Sequence, residues 1–244
     1  MDKKERLDKI IASQGLYTRS EIKAMVRRGE VSLNGEVIKD SGIKVSYNDT
    51  ICVNGKPLFQ TKHTYIMLNK PQGVVSASND KHDKTVVDIL PQELKRKNLF
   101  PAGRLDKDTV GFCLITDDGD FAHNILSPSK HVTKTYIATL SNAINYEKAK
   151  KGFADGVVLA DGTVLLSAVL EQLEAGDKPI YKVIIKEGKY HQVKRMFSSF
   201  GATVIELDRI AIGGLKLDSS LERGDARLIS EAELKAIVEN DERF

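Results

Sequence analysis

The sequence has little cysteine and no long apolar run. Cys52 and Cys113 are the two cysteines of a 244-residue chain, and their wide separation matches no metal-binding or redox spacing. No apolar stretch approaches the roughly 18 residues that a membrane span needs, and the charged first residues precede no apolar signal segment. We therefore expect reduced core cysteines, no metal site, and a soluble cytoplasmic protein that has no membrane partner.

Several motifs of common enzyme chemistry are also missing. The chain has no fixed-period repeat, glycine-rich phosphate loop, HExxH, CxxC pair or GxSxG elbow, so metal, nucleotide and serine-nucleophile chemistry lack support. Net charge is small as well, because 37 Lys and Arg against 34 Asp and Glu leave only +3. A nucleic-acid surface would have to come from where the charges lie rather than from their total.

Two amphipathic helices are predicted at the start of the chain. The first carries Leu7, Ile10 and Ile11 on one face, and the second begins with the capping-box spacing of Thr18 and Glu21. The outer face of the second helix is basic, and its charged residues are Arg19, Lys23, Arg27 and Arg28. Such charges ordinarily form a solvated face, and contact with an anionic partner is the alternative.

Two Asn-Gly pairs follow these helices. The pairs, at 34–35 and 54–55, stand beside short runs that favour strands, and Asn-Gly supplies the positive φ values of a tight hairpin. We predict a small domain over residues 1–58, made of two helices and a short twisted sheet. Polar residues 59–64 break the periodicity and are predicted to be a linker.

The larger domain is predicted over residues 65–244. Its runs rich in Val, Ile, Tyr and Thr favour strands, and these cover residues 65–69, 111–116, 133–140, 164–170, 181–186 and 203–207. Residues 117–119 suggest a hairpin turn, and Ser230 with Glu233 predicts the start of a final helix. The expected fold class is α+β, with a small N-terminal module before a domain built on a mostly antiparallel sheet.

A polar loop at 101–111 leads directly into the apolar run at 112–116. Asp106 lies in this loop beside Arg104 and Lys107, which supply charge that can orient a carboxylate. Asp commonly caps a loop through the local backbone. Local chemistry alone favours that capping role over a catalytic one.

Two further segments could carry chemistry. Residues 187–196 predict a helix start in which Lys194 and Arg195 follow His191 by about one turn. These cations could face water, a protein carboxylate or an RNA phosphate. Tyr136 lies in a predicted strand, where a half-buried aromatic is more usual than a platform for base stacking.

The N-terminal module resembles a known RNA-binding fold. RLDKIIASQGLYTRSEIKAMVRRGEVSLNGEVI at residues 6–38 is similar to an S4 domain. That resemblance implies that the second helix and the loop after it lie on RNA. It therefore makes RNA-binding candidates of the four basic residues on that helix, which are Arg19, Lys23, Arg27 and Arg28.

Four motifs in the larger domain, taken in order, resemble the RsuA-type branch of the pseudouridine synthases. They are MLNKPQG at 67–73, GRLDKDTVGFCLITDDG at 103–119, KTY at 134–136 and EGKYHQVKRMF at 187–197. With the S4-like module, the similarity spans nearly the whole chain. It departs slightly at Phe112 and Cys113, where the family usually has aliphatic residues, and this affects packing only.

The resemblance implies a role for each site residue. Asp106 would be the catalytic aspartate and Lys194 its basic partner. Tyr136 would stack on the target base, Leu207 would form the apolar wall of the uracil pocket, and Arg104 would fill the gap left by the flipped nucleotide. Isomerisation of uridine involves no net redox change, so no cofactor is expected.

The resemblance also implies a substrate and leaves two alternatives. The expected partner is 16S ribosomal RNA in a small-subunit precursor, modified at one uridine by a monomeric enzyme. The first alternative is the same chemistry on a large-subunit uridine, because related branches share these motifs. The second is a non-catalytic RNA-binding assembly factor that uses the S4-like module.

Overall fold

The computed structural model describes residues 4–15, 17–46, 48–58 and 63–238. Its contacts divide the chain into one unit of Met1–Thr64 with Pro91–Leu99 and another of Tyr65–Leu90 with Phe100–Phe244. The sequence-based prediction placed 91–99 in the larger domain, whereas the contacts group this segment with the smaller unit. Gly15, at φ +75°, would meet the backbone of Arg96 at 3.1 Å if it carried a Cβ, so the segment packs closely on the smaller unit. Most of the predicted linker lies outside the described residues, since 59–62 are not described.

The smaller unit has two helices and short antiparallel strands. Its elements are β1 Glu5–Arg6, α1 Leu7–Ser13, α2 Arg19–Arg27, β2 Val31–Leu33, β3 Glu36–Val37, β4 Lys44–Val45, β5 Ile51–Val53 and β6 Lys56–Leu58. The order β3-β2-β5-β6 forms one sheet, and β1 pairs with β4. Asn34, Gly35, Asn54 and Gly55 all have positive φ, so both predicted Asn-Gly hairpins are confirmed.

The core of this unit comes from the predicted apolar faces. Leu7, Ile10 and Ile11 of α1 are fully buried, and they share a cluster with the apolar side chains of α2. The capping box is present, because Thr18 Oγ1 accepts from the Glu21 backbone N–H at 3.3 Å and the Glu21 carboxylate accepts from that of Thr18 at 2.6 Å. Such a cap stabilises a helix by about 1 kcal/mol.

The larger unit is built on one extended sheet. Its elements are β7 Tyr65–Lys70, β8 Phe100–Pro101, β9 Val110–Thr116, α3 Gly119–Leu126, β10 Lys134–Leu140, α4 Tyr146–Asp155, β11 Val169–Glu174, β12 Ile180–Ile185, α5 Gln192–Ser198, β13 Val204–Ile212, β14 Leu215–Lys216, β15 Ala226–Leu228 and α6 Glu231–Val238. The strand order is β11-β12-β10-β13-β9-β7-β15, with β14 on β13 and β8 on β9. Its strand pairs are antiparallel except β13 with β9, which are parallel, so the predicted α+β class and mostly antiparallel sheet are confirmed.

Two local predictions in this unit were wrong. Residues 117–119 do not form a hairpin, because the Asp118 side chain accepts from the Phe121 backbone N–H at 3.0 Å and caps the start of α3. The strand predicted at 164–170 begins only at Val169 and continues to Glu174, and the earlier part makes a single bridge between Val158 and Val164. Among the described residues, no helix is long and apolar enough to cross a membrane.

Candidate active site

The loop before β9 carries Asp106, and two buried side chains fix its backbone by hydrogen bonds. Lys70, which is fully buried, donates from Nζ to the carbonyls of Thr109 at 2.7 Å and Lys107 at 3.3 Å. Ser76 Oγ donates to the Leu105 carbonyl at 3.1 Å and accepts from its N–H at 3.0 Å. Burial lowers the pKa of Lys70 to about 8. Asp106 therefore stands between two fixed stretches of backbone.

Helix α5 supplies the cation that meets Asp106. Lys194 Nζ lies 3.0 Å from Asp106 Oδ2 and 2.6 Å from Asp108 Oδ1. Burial lowers the pKa of Lys194, but hydrogen bonding to Asp108 and Asp106 outweighs burial and raises it. The hydrogen bond between Lys194 and Asp108 in turn lowers the pKa of Asp108. His191, with φ +50°, precedes the helix and places Nε2 3.4 Å from Asp106 Oδ1. The start of α5 thus brings the Lys194 ammonium to the Asp106 carboxylate, which is one of the partners that the local sequence left open.

The neighbouring strands β10 and β13 contribute the floor of the site. Tyr136 and Leu207, only 8% and 7% exposed, lie on adjacent strands, where Tyr136 pairs in register with Arg209 and Ala138 with Leu207. One cavity is lined by the five residues singled out from the sequence, which are Arg104, Asp106, Tyr136, Lys194 and Leu207. It adjoins a larger cavity of about 630 Å³ that shares Arg104, Asp106 and Tyr136. The smaller cavity therefore brings together an aromatic side chain, an apolar side chain and a carboxylate.

A family model described as RNA pseudouridylate synthase matches residues 64–199, and an S4 domain model matches residues 5–51. The chain belongs to the RNA pseudouridine synthase family. It is an enzyme of that family with an N-terminal S4 domain, as the sequence resemblance implied.

Relatives and a solved structure cover almost the whole chain. The chain is 42% identical over 237 residues to an uncharacterized RNA pseudouridine synthase, YtzG, of Bacillus subtilis, which covers 96% of this chain and 98% of that one. It is 40% identical over 235 residues to the ribosomal small subunit pseudouridine synthase A of Escherichia coli, covering 96% and 100%. A crystal structure of a pseudouridylate synthase matches with a TM-score of 0.65 at 37% identity, covering 96% and 99%.

This pseudouridine synthase has two buried cations that sequence reasoning left without a role. Lys134 is 6% exposed and donates from Nζ to the carbonyls of Val132 at 2.8 Å and Ile125 at 3.3 Å. Burial, with the nearby charge of Arg209, lowers the pKa of Lys134 to about 8. Arg209 donates from Nε to the Phe112 carbonyl at 2.7 Å, and its buried Nη2 has no hydrogen-bond partner among the described residues. Both line the larger cavity. Lys134 is two residues from Tyr136 on β10, and Arg209 is two residues from Leu207 on β13, so each shares a strand face with a predicted site residue. This spacing could have identified them from the sequence.

Lys70, Ser76 and Asp108 were missed for a different reason. Each acts through contacts to backbone or side chains far along the chain, and no local pattern reports such contacts. In the part of the chain that the structure describes, no group of His, Cys, Asp and Glu residues could hold a metal ion.

The four basic residues predicted to bind RNA lie on or directly after the second helix of the S4 domain. Arg19, Lys23 and Arg27 are exposed on α2. Arg28, the next residue, donates from Nη2 to the Glu30 carboxylate at 2.8 Å. All four predicted RNA-binding residues are therefore exposed, and Arg28 is in addition paired with a neighbouring carboxylate.

Proposed function

We propose that this enzyme converts one uridine of 16S ribosomal RNA, in a small-subunit precursor, to pseudouridine with Asp106 as its essential carboxylate. The observation that carries the proposal is the convergence of Arg104, Asp106, Tyr136, Lys194 and Leu207 on one cavity. Relatives from Escherichia coli and Haemophilus influenzae, 40% and 38% identical, are named ribosomal small subunit pseudouridine synthase A. Their names support the choice of the small-subunit RNA.

The first step of the proposed reaction is extrusion of the uridine. A base stacked within folded RNA is out of reach, so the enzyme flips it into a pocket and reads it by stacking and apolar contact. Tyr136 would stack on the base, and Leu207 would close the pocket from the next strand. Arg104, whose side chain is exposed at the mouth, would occupy the gap left in the RNA.

The second step is isomerisation at the ribose. The bond between C1′ and N1 breaks, the uracil turns over, and a bond forms between C1′ and C5. The proton leaves C5 and N1 gains one, so atoms and electrons balance without a cofactor. Asp106 can either bond covalently to the substrate or accept a proton from the sugar. Lys194 would aim the carboxylate in both routes.

The decisive experiment maps pseudouridine in ribosomal RNA from cells that lack the gene and from complemented cells. Carbodiimide modification followed by reverse transcription should give one stop in 16S RNA that depends on the gene. Complementation with Asp106→Asn should abolish the stop while the purified variant still binds RNA. Asp120→Asn, an exposed position on α3, is the matched control and should restore it.

Each alternative predicts a different map. A gene-dependent stop in large-subunit RNA would show that the enzyme modifies a uridine of that RNA instead. An unchanged pattern of stops in both RNAs would favour the non-catalytic assembly factor. Normal modification by Asp106→Asn would overturn the role of that residue. The proposal further expects a monomer, which sedimentation of the purified protein tests.

A further inference from the structure

Tyr190 is an unusually exposed aromatic residue at the edge of the site. Its side chain is 76% exposed, and the other large hydrophobic residues exposed in the described part of the chain are aliphatic. One face of the ring stacks on His191, with 3.8 Å between centroids and 18° between planes. Both residues line the cavity of about 630 Å³ together with Asp106. Because most of the side chain is exposed, the ring face turned away from His191 is accessible to a partner.

The turn that presents Tyr190 is firmly held. Gln192, only 4% exposed, accepts from the Lys189 backbone N–H at 2.9 Å and donates to the Glu187 carboxylate at 3.2 Å. His191 has φ +50° and places Nε2 3.4 Å from Asp106. A ring fixed in this way loses little conformational freedom when a partner stacks on it. The turn therefore presents a preorganised flat surface.

The charges near Tyr190 select the kind of partner. Arg104, Lys107 and Lys189 line the same cavity, and all three side chains are exposed. Cations that follow a backbone, together with aromatic rings on which bases stack, are the usual features of a single-stranded nucleic-acid site. Bases freed from a helix stack on aromatic side chains in most sequence-specific RNA recognition.

We propose that Tyr190 stacks on an unpaired base of the RNA next to the flipped uridine, and so contributes to substrate binding rather than to isomerisation. This inference rests on the proposed function and deepens it, because it assigns a second base contact outside the uracil pocket. His191 supports the ring from behind. It is a positioning residue, because it stacks on Tyr190 and also places its Nε2 beside the Asp106 carboxylate.

The test separates binding from chemistry with an RNA fragment of 16S that contains the target uridine. Tyr190→Ala should raise the Kd for this fragment roughly 5- to 150-fold, the usual cost of one stacked base. The single-turnover rate at saturating RNA should stay within about twofold of wild type. Tyr190→Phe keeps the ring and should bind like wild type. Leu173→Ala, at an exposed position on β11 that is 45% exposed, is the control for removal of exposed apolar surface.

A spectroscopic probe reports the stack directly. With 2-aminopurine in place of each base beside the uridine, wild type and Tyr190→Phe should quench fluorescence at one position, and Tyr190→Ala should not. Equal losses in Tyr190→Ala and Tyr190→Phe, an unchanged Kd, or a slower saturated rate with unchanged Kd would each overturn the inference. Failure of wild type to modify any uridine of the fragment would instead count against the proposed function, since binding and quenching are measured separately.

Discussion

The ammonium of Lys194 lies 3.0 Å from the carboxylate of Asp106, joining the start of α5 to the loop before β9. The same Nζ lies 2.6 Å from Asp108, so one cation serves two carboxylates. The side chain of Asp106 is 29% exposed and that of Asp108 is 61% exposed. Because the pair with Asp106 is less hydrated, it should matter more for the site.

Replacing Lys194 and replacing Asp108 should therefore have unequal effects on the reaction. Lys194→Met leaves Asp106 without its cation in a partly buried place, and we expect the single-turnover rate to fall by about 5- to 30-fold or more, which corresponds to about 1–2 kcal/mol. Asp108→Asn keeps the pair with Asp106 and should change the rate less than about fivefold, as mostly exposed ion pairs contribute about 1 kcal/mol or less. A slower rate in Asp108→Asn than in Lys194→Met would show that Asp108 is the partner that matters.

Gly111 marks the junction between the loop and β9. It has φ +97°, and a Cβ there would overlap the Asp208 carboxylate and the Arg209 carbonyl. Gly111→Ala should lower the free energy of unfolding by about 3 kcal/mol or more, because both strain and overlap act at a buried position. Gly119→Ala, where a Cβ would meet nothing within 4 Å, should be nearly neutral. Urea denaturation of both variants checks this, and similar midpoints for the two would contradict it.

Local sequence patterns predicted the elements whose causes are themselves local. The capping box of Thr18 and Glu21 and the Asn-Gly hairpin at Asn34 act within three or four residues, so their patterns needed no tertiary context. Asp118 shows the limit of such reasoning, because an acidic pair before glycine suits a hairpin turn and a helix cap equally well. The predicted position of β11, the edge strand of the sheet, was also several residues too early in the chain. The pairing of this strand with β12 contains a bulge.

The site itself could be predicted only through resemblance. Local chemistry favoured a capping role for Asp106, and the residues that hold its loop, Lys70 and Ser76, come from distant parts of the chain. Periodicity alone could not place Lys194 beside this loop, since that contact depends on the parallel pairing of β13 with β9 and on the position of α5. Four ordered motifs supplied the tertiary information that propensity lacks.

The S4 helix should bind RNA mainly through charge. Neutralising Arg19, Lys23 and Arg27 together by Gln should weaken binding of all RNA sequences and reduce the slope of log K against log salt by about 2 to 3, which is close to one for each phosphate that the variant no longer neutralises. Arg28→Gln should change the slope by less than the average change per residue in the triple variant, because Glu30 already pairs with this side chain. Filter binding across a salt series measures both. An unchanged slope in the triple variant would show that these residues form an ordinary solvated face and do not contact RNA phosphates.

The buried Lys134 should make stability depend on pH. Burial first, and Arg209 second, lower its pKa from 10.5 to about 8 in the folded protein. Below pH 8 the folded state bears the full cost of a buried charge, and this cost disappears as pH rises towards 10.5, because the unfolded state then binds more protons. Wild type should therefore gain roughly 1 to 3 kcal/mol of stability relative to Lys134→Met between pH 7.5 and 10. Lys70, present in both proteins, cancels in this comparison. Urea unfolding at the two pH values measures the change, with the exposed Lys130→Met as the control, and parallel profiles for wild type and Lys134→Met would refute a buried charge at this position.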